Sequence, residues 1–138
     1  MLGGFKVLSG YIYSYTPFVN VRILNPFSGV SYPEDDWLLA VIDTGFTGFL
    51  LVPEEVFMSL GLGEQRVKVI RARTADGREV ELRGAYASLI LRGLNVVLDG
   101  LVETHEGVEE VLLGMRALRG LRVILNSCTG TVSIDVCR

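Results

Sequence analysis

An apolar run of strand length, Leu38-Leu39-Ala40-Val41-Ile42, passes directly into Asp43-Thr44-Gly45, and a second run, Phe46-Thr47-Gly48-Phe49-Leu50-Leu51-Val52, follows. Two apolar strands joined this way must bend sharply between them, and a glycine makes the bend easy. The acid therefore sits where a buried strand enters a tight turn. A carboxylate in such a place is costly as an anion, so its pKa is expected to rise unless donors hold it. The plainer reading is a turn aspartate that caps its own backbone.

The rest of the chain is mostly of period two. Tyr11, Tyr13 and Tyr15 alternate with Ile12 and Ser14, and a strand over 18–24 follows, giving a hairpin-like opening. Residues 25–29 and 31–36 are turn or loop material. A short helix is predicted over 53–60: proline suits its first turn, Glu54 and Glu55 complement the positive end of its dipole, and Gly61 stops it. Strands are predicted over 66–73 and 78–91, joined by Thr74-Ala75-Asp76-Gly77. Asp-Gly is a strong hairpin signal because the favoured turn needs positive φ at both central residues. Further strands are predicted over 95–102 and 111–114, a second small helix over 115–119, and a closing hairpin from strands 123–125 and 131–136. Many short strands and two small helices point to a mainly β, barrel-like single domain over residues 1–138.

At 138 residues the chain is long enough for a real core. Apolar residues make up 49% of it, and the mean hydropathy is +0.41. No apolar stretch approaches the roughly 20 residues that cross a bilayer, and around Lys6 nothing reads as a signal peptide, so a cytoplasmic protein away from membranes is expected. Surplus apolar surface is then expected to be covered by a second copy, as a homodimer.

The formal charge of −3 argues against a nucleic-acid partner, and the basic residues Arg66, Lys68, Arg71, Arg73 and Arg78 read as a solvated face. Cys128 and Cys137 have no metal-ligand spacing, and the single histidine, His105, is distant, so neither a metal nor another cofactor is expected. If Thr129-Gly130 is a two-residue turn, Cys128 pairs with Thr131 and Cys137 lies opposite Arg122, so the cysteines do not face each other and two reduced thiols are expected, with a disulfide across a dimer axis as the alternative. His105 is expected to be exposed.

One carboxylate suggests a second. Two of them within about 3 Å share a single proton and titrate at separated values. The charged partner takes a proton from water while the protonated one donates to a carbonyl oxygen, which is general acid–base hydrolysis of an amide. The chain has one Asp-Thr-Gly, so the second acid must come from a second copy across a two-fold axis.

Ile42-Asp43-Thr44-Gly45, with Leu112-Leu113-Gly114 about seventy residues later, resembles the retropepsin-like (clan AA) aspartic proteases, nearest to the small single-domain bacterial and archaeal type with the string Ile-Asp-Thr-Gly-Phe-Thr-Gly. The similarity runs over about 11–136. It implies a closed β-barrel forming a homodimer, in which Asp43 is half of a catalytic dyad cutting peptides or unfolded protein. The Thr44 hydroxyl would bond across the dimer, and Gly45 would let substrate backbone approach. Leu112, Leu113 and Gly114 would pack behind the acid loop. Thr74, Ala75, Asp76 and Gly77 would form the flap over the substrate.

Departures from the retroviral pattern accompany the match. Retroviral members pair an aspartate four positions after the catalytic one with an arginine after the second glycine, and here those places hold Thr47 and Met115. Phe46 replaces a small alanine and is expected to reshape the pockets beside the scissile bond. Asp76 adds a charge near the cleft mouth. The alternative function is a non-catalytic peptide-binding or dimerisation module of the same fold.

Overall fold

A computed structural model describes residues 9–65 and 67–137, so Lys6 and Arg66 lie outside the described residues. The elements in chain order are β1 (Gly10–Tyr13), β2 (Thr16–Leu24), β3 (Ser31–Tyr32), β4 (Leu38–Ile42), β5 (Leu50–Leu51), α1 (Glu54–Ser59), β6 (Lys68–Arg73), β7 (Glu79–Leu91), β8 (Val97–Thr104), β9 (Val111–Leu113), α2 (Met115–Leu118), β10 (Leu121–Asn126) and β11 (Thr131–Val136).

Six strands close into a ring in the order β2, β4, β9, β5, β8, β7 and back to β2. The barrel is therefore closed, and the domain is mainly β. The long strand β2 makes closure possible: Phe18 to Val21 pair with β4, while Val21 to Leu24 pair with β7. Two contacts are parallel, β4 with β9 and β5 with β8. β1, β11 and β10 extend the sheet from β2, and β10 and β6 are its two ends.

Alternation along the strands sorts side chains onto two faces. Ile42, Leu113, Leu50 and Val102 are buried, with Val19, Val21, Ile23, Leu89 and Leu91. Helix α1 closes one end with Val56 and Phe57, and Gly61 leaves it at φ 71°. Each large side chain fully buried in this way contributes roughly 1.5–3 kcal/mol of hydrophobic stabilisation. Among the described residues no helix is long and apolar enough to cross a membrane.

Several local expectations are corrected. Tyr15 leaves the strand series, because Ser14 and Tyr15 form the hairpin turn with φ of 49° and 62° and Tyr13 pairs with Thr16. Segment 31–36 contributes the short strand β3. In the 74–77 turn only Gly77 has positive φ, 86°, and its N–H bonds Thr74 O at 2.9 Å while Thr74 N–H bonds Arg78 O at 2.9 Å. That is a three-residue loop with a glycine bulge rather than a two-residue primed turn. Strand β8 is shifted to Val97–Thr104, since the Thr104 hydroxyl ties its end to Val52 O at 2.7 Å. Asn126, not Cys128, pairs with Thr131, and Arg122 faces Asp135. The Asn126 side-chain oxygen accepts the Cys128 and Thr129 N–H groups and so sets the longer loop. Both cysteines are free and exposed.

Candidate active site

Asp43 stands at the end of β4, half-buried, with Thr44, Gly45 and Thr47 exposed beside it. Its Oδ1 accepts the Gly45 N–H at 2.9 Å, and Phe46 N–H reaches Asp43 O at 3.2 Å. The turn-capping role is therefore present in the loop. Among the described residues no hydrogen bond reaches Oδ2 of the same carboxylate, so capping does not exclude chemistry.

The loop is held from behind by the β9–α2 junction. Asp43 N–H donates to Leu113 O at 3.0 Å, Gly114 N–H to Phe49 O at 3.0 Å, Met115 N–H to Phe46 O at 2.8 Å and Arg116 N–H to Gly48 O at 3.1 Å. Gly114 lies so close that a Cβ there would stand 2.6 Å from Phe46 Cδ2. A Cβ on Gly48 would stand 2.5 Å from Phe46 Cζ. The Phe46 ring thus tucks over the two glycines. The structure brings together Asp43, Thr44, Gly45, Phe46, Leu113 and Gly114, with Leu112 one residue further along β9. Its side chain projects opposite to that of Leu113.

Leu112 belongs to the outward face. Cα partners connect Val41 to Leu112, Leu112 to Leu51, Leu51 to Glu103, Glu103 to Gly84 and Gly84 to Lys68. This row runs from the acid-bearing strand to β6, the first arm of the hairpin whose tip is Thr74-Ala75-Asp76-Gly77. Beside it Leu51, Leu112, His105, Val108, Glu109 and Glu110 line a pocket of about 310 Å³. His105, expected to be exposed, is half-buried there, with Nδ1 2.8 Å from Glu106 O.

At the hairpin tip, Asp76 accepts from the Thr74 hydroxyl and pairs with Arg78 Nε at 3.0 Å. The Thr74 hydrogen bond, followed by the Arg78 N–H and guanidinium, holds the Asp76 carboxyl below its ordinary pKa. The charge foreseen at the cleft mouth is thus matched locally by Arg78.

Glu103 is the residue that sequence reasoning missed. It is half-buried, and burial raises its pKa against the opposing influence of Arg116 and Lys68. Its Oε1 lies 2.7 Å from where a Cβ on Gly48 would be, in contact with the acid loop. The available signal was its period-two relation to Leu101 and His105. That relation carries no meaning until β8 is placed beside β5.

The sequence matches no family model. An uncharacterized protein of Archaeoglobus fulgidus is 39% identical over 122 residues, which cover 88% of this chain and 95% of that protein. Among solved structures, a retropepsin-like aspartic protease from Rickettsia conorii superposes with a TM-score of 0.63 at 13% identity, covering 95% of this chain and 91% of its own. The EIAV protease complexed with the inhibitor HBY-793 gives a TM-score of 0.53 at 16% identity, over 79% of this chain and 90% of that one.

Proposed function

We propose that this chain, which belongs to one family with the Archaeoglobus fulgidus protein and has the retropepsin-like fold, is an aspartic endopeptidase. Its active form is a homodimer in which each copy supplies one Asp43. The observation that carries this reading is the acid loop itself. Its backbone is laced to β9 and α2, while Thr44 and Gly45 are exposed at the surface of a single chain. A rigid loop that offers its acid outward is suited to meet its own copy across a two-fold axis.

The two carboxyls then share one proton. The ionised Asp43 removes a proton from a water as that water adds to the scissile carbonyl carbon. The protonated Asp43 gives its proton to the carbonyl oxygen. Collapse of the tetrahedral diol returns a hydroxyl proton to a carboxylate, the other acid protonates the amide nitrogen, and the C–N bond breaks. The products are a carboxylic acid and an amine. Thr44 would bond across the axis and hold the acids coplanar, and the β6–β7 hairpin would cover an extended peptide as an added strand. Met115 on α2 and Ile124 and Leu125 on the sheet end β10 are exposed apolar side chains that a second copy would cover. We place the protein in the cytoplasm.

The test is incubation with denatured casein from mildly acidic to neutral pH, with sedimentation run in parallel. Cleavage by the wild type is expected, with loss in Asp43→Asn, retained dimerisation in that variant and inhibition by a statine-type peptide. Equal activity in both proteins removes Asp43 from the chemistry. A dimer that binds peptide and never cuts it leaves only the non-catalytic module.

A further inference from the structure

We propose that Glu103 selects peptides that place a lysine or arginine side chain in the cleft beside Asp43. The proposal rests on reading this surface as a peptide cleft and names the class of substrate it prefers.

Residues paired across a ladder project to the same face. Val41, Leu112, Leu51 and Glu103 therefore share one face, continued to Lys68 on β6. The adjacent row of Ile42, Leu113, Leu50, Val102 and Ala85 is buried in the core, so the first row faces away from it. Glu103 stands at the junction of three parts of the cleft. It touches the acid loop at Gly48, adjoins Leu51 in register, and is linked through Gly84 to the hairpin strand β6.

Among the described residues no hydrogen bond reaches the Glu103 carboxyl, and Arg116 and Lys68 act on it only as nearby charges. A half-buried carboxylate with no protein hydrogen-bond donor keeps its acceptor capacity, and a cationic donor makes the strongest such bond. Its neighbours along the row, Leu112 and Leu51, are apolar and half-buried. The strip thus reads as aliphatic wall followed by carboxylate. A lysine or arginine side chain has that form in reverse, an aliphatic stem with a cationic head. The stem would lie on Leu112 and Leu51 and the head on Glu103. Glu109 and Glu110 line the pocket beside Leu51 and Leu112, on the path the stem would take, while Lys68 and Arg116 act on Glu103 from the other side.

The experiment reads binding, so it does not depend on turnover. In the Asp43→Asn protein, fluorescence anisotropy compares labelled peptides of one sequence with lysine walked through each position, each against its norleucine counterpart. At one or two adjacent positions lysine is expected to bind about tenfold tighter, the size of a hydrogen bond to a charged group. Adding Glu103→Gln is expected to bring the pair within about twofold. Equal binding at every position, no binding of any peptide, or a lysine preference that survives Glu103→Gln overturns the proposal. Wild-type cleavage of the same peptides separates the two ideas: a Glu103-dependent lysine preference in binding, with no peptide ever cut, sinks the peptidase and leaves the selection standing.

Discussion

Gly114 lies directly against the main chain of Gly48: a Cβ on Gly114 would stand 2.1 Å from the Gly48 carbonyl oxygen and 2.8 Å from that of Phe46. Both atoms belong to backbone that is itself bonded to α2, through Arg116 N–H on Gly48 O and Met115 N–H on Phe46 O. The loop cannot give way without breaking those bonds. Gly114→Ala is therefore expected to cost roughly 1–3 kcal/mol or more. Thermal unfolding should show the Tm lower by about 3–10 °C. Peptide cleavage should fall further than stability does, because the displaced element is the acid loop. An unchanged Tm would mean that the glycine is not required for packing.

Asp43→Asn separates structure from chemistry. The Gly45 N–H bond to Asp43 Oδ1 needs only an acceptor, which an asparagine amide oxygen also supplies. Stability should stay within about 0.5 kcal/mol of the parent. Cleavage of casein should drop by about 10²–10⁴-fold or more, the range for losing a general acid–base group. A large loss of Tm in this variant would mean that the carboxylate also holds the loop, so that lost cleavage would no longer isolate its chemistry.

The parts of this site that lie within a few residues of one another were legible in the sequence. Asp43-Thr44-Gly45 and Leu112-Leu113-Gly114 each end an apolar strand, and the resemblance to retropepsin-like proteases set them together. The helix α1 was readable from Pro53, its two glutamates and Gly61. Two kinds of feature were not. Turn geometry at Ser14-Tyr15 rests on positive φ at two residues that carry side chains, which no local preference announces. Register at Asn126 depends on a side-chain oxygen capping two later N–H groups. Glu103 was hidden for a different reason. Its surroundings come from the parallel pairing of Leu51 with Glu103, residues about fifty apart in sequence, and the alternation of a single strand cannot supply that.

The tip of the β6–β7 hairpin is pinned by Asp76, which holds the Thr74 hydroxyl and the Arg78 guanidinium. Asp76→Ala should loosen the turn while leaving global stability nearly unchanged, since the ion pair is exposed. Hydrogen exchange at the Gly77 amide, which bonds Thr74 O at 2.9 Å, is expected to quicken about two- to tenfold. The pH dependence follows from the lowered pKa of Asp76. The ordering of the tip depends on the carboxylate, so it is fully present above the ordinary value of 3.8. It is lost only as pH falls through the still lower folded value. Protection at Gly77 that disappears at pH 5 would contradict this.

Glu103 should leave the opposite signature. Burial raises its pKa in the folded chain above the ordinary value of 4.5, with Arg116 and Lys68 opposing the rise. The folded state therefore binds the proton more tightly than the unfolded state does. The ionised side chain lowers stability at neutral pH, and that penalty fades as pH falls through the folded pKa. Glutamine carries no charge to bury. Glu103→Gln should accordingly raise the Tm at pH 7, and the gain should shrink on acidification and vanish below about 4.5. Thermal unfolding of the two proteins from pH 7 to pH 4 reads this directly. The gain is expected to be small, because Glu103 is only half-buried and solvent screens it. A loss of Tm at pH 7 would instead mean that the carboxylate is already satisfied within the folded protein, which would also remove the reason for it to seek a cationic side chain from a substrate.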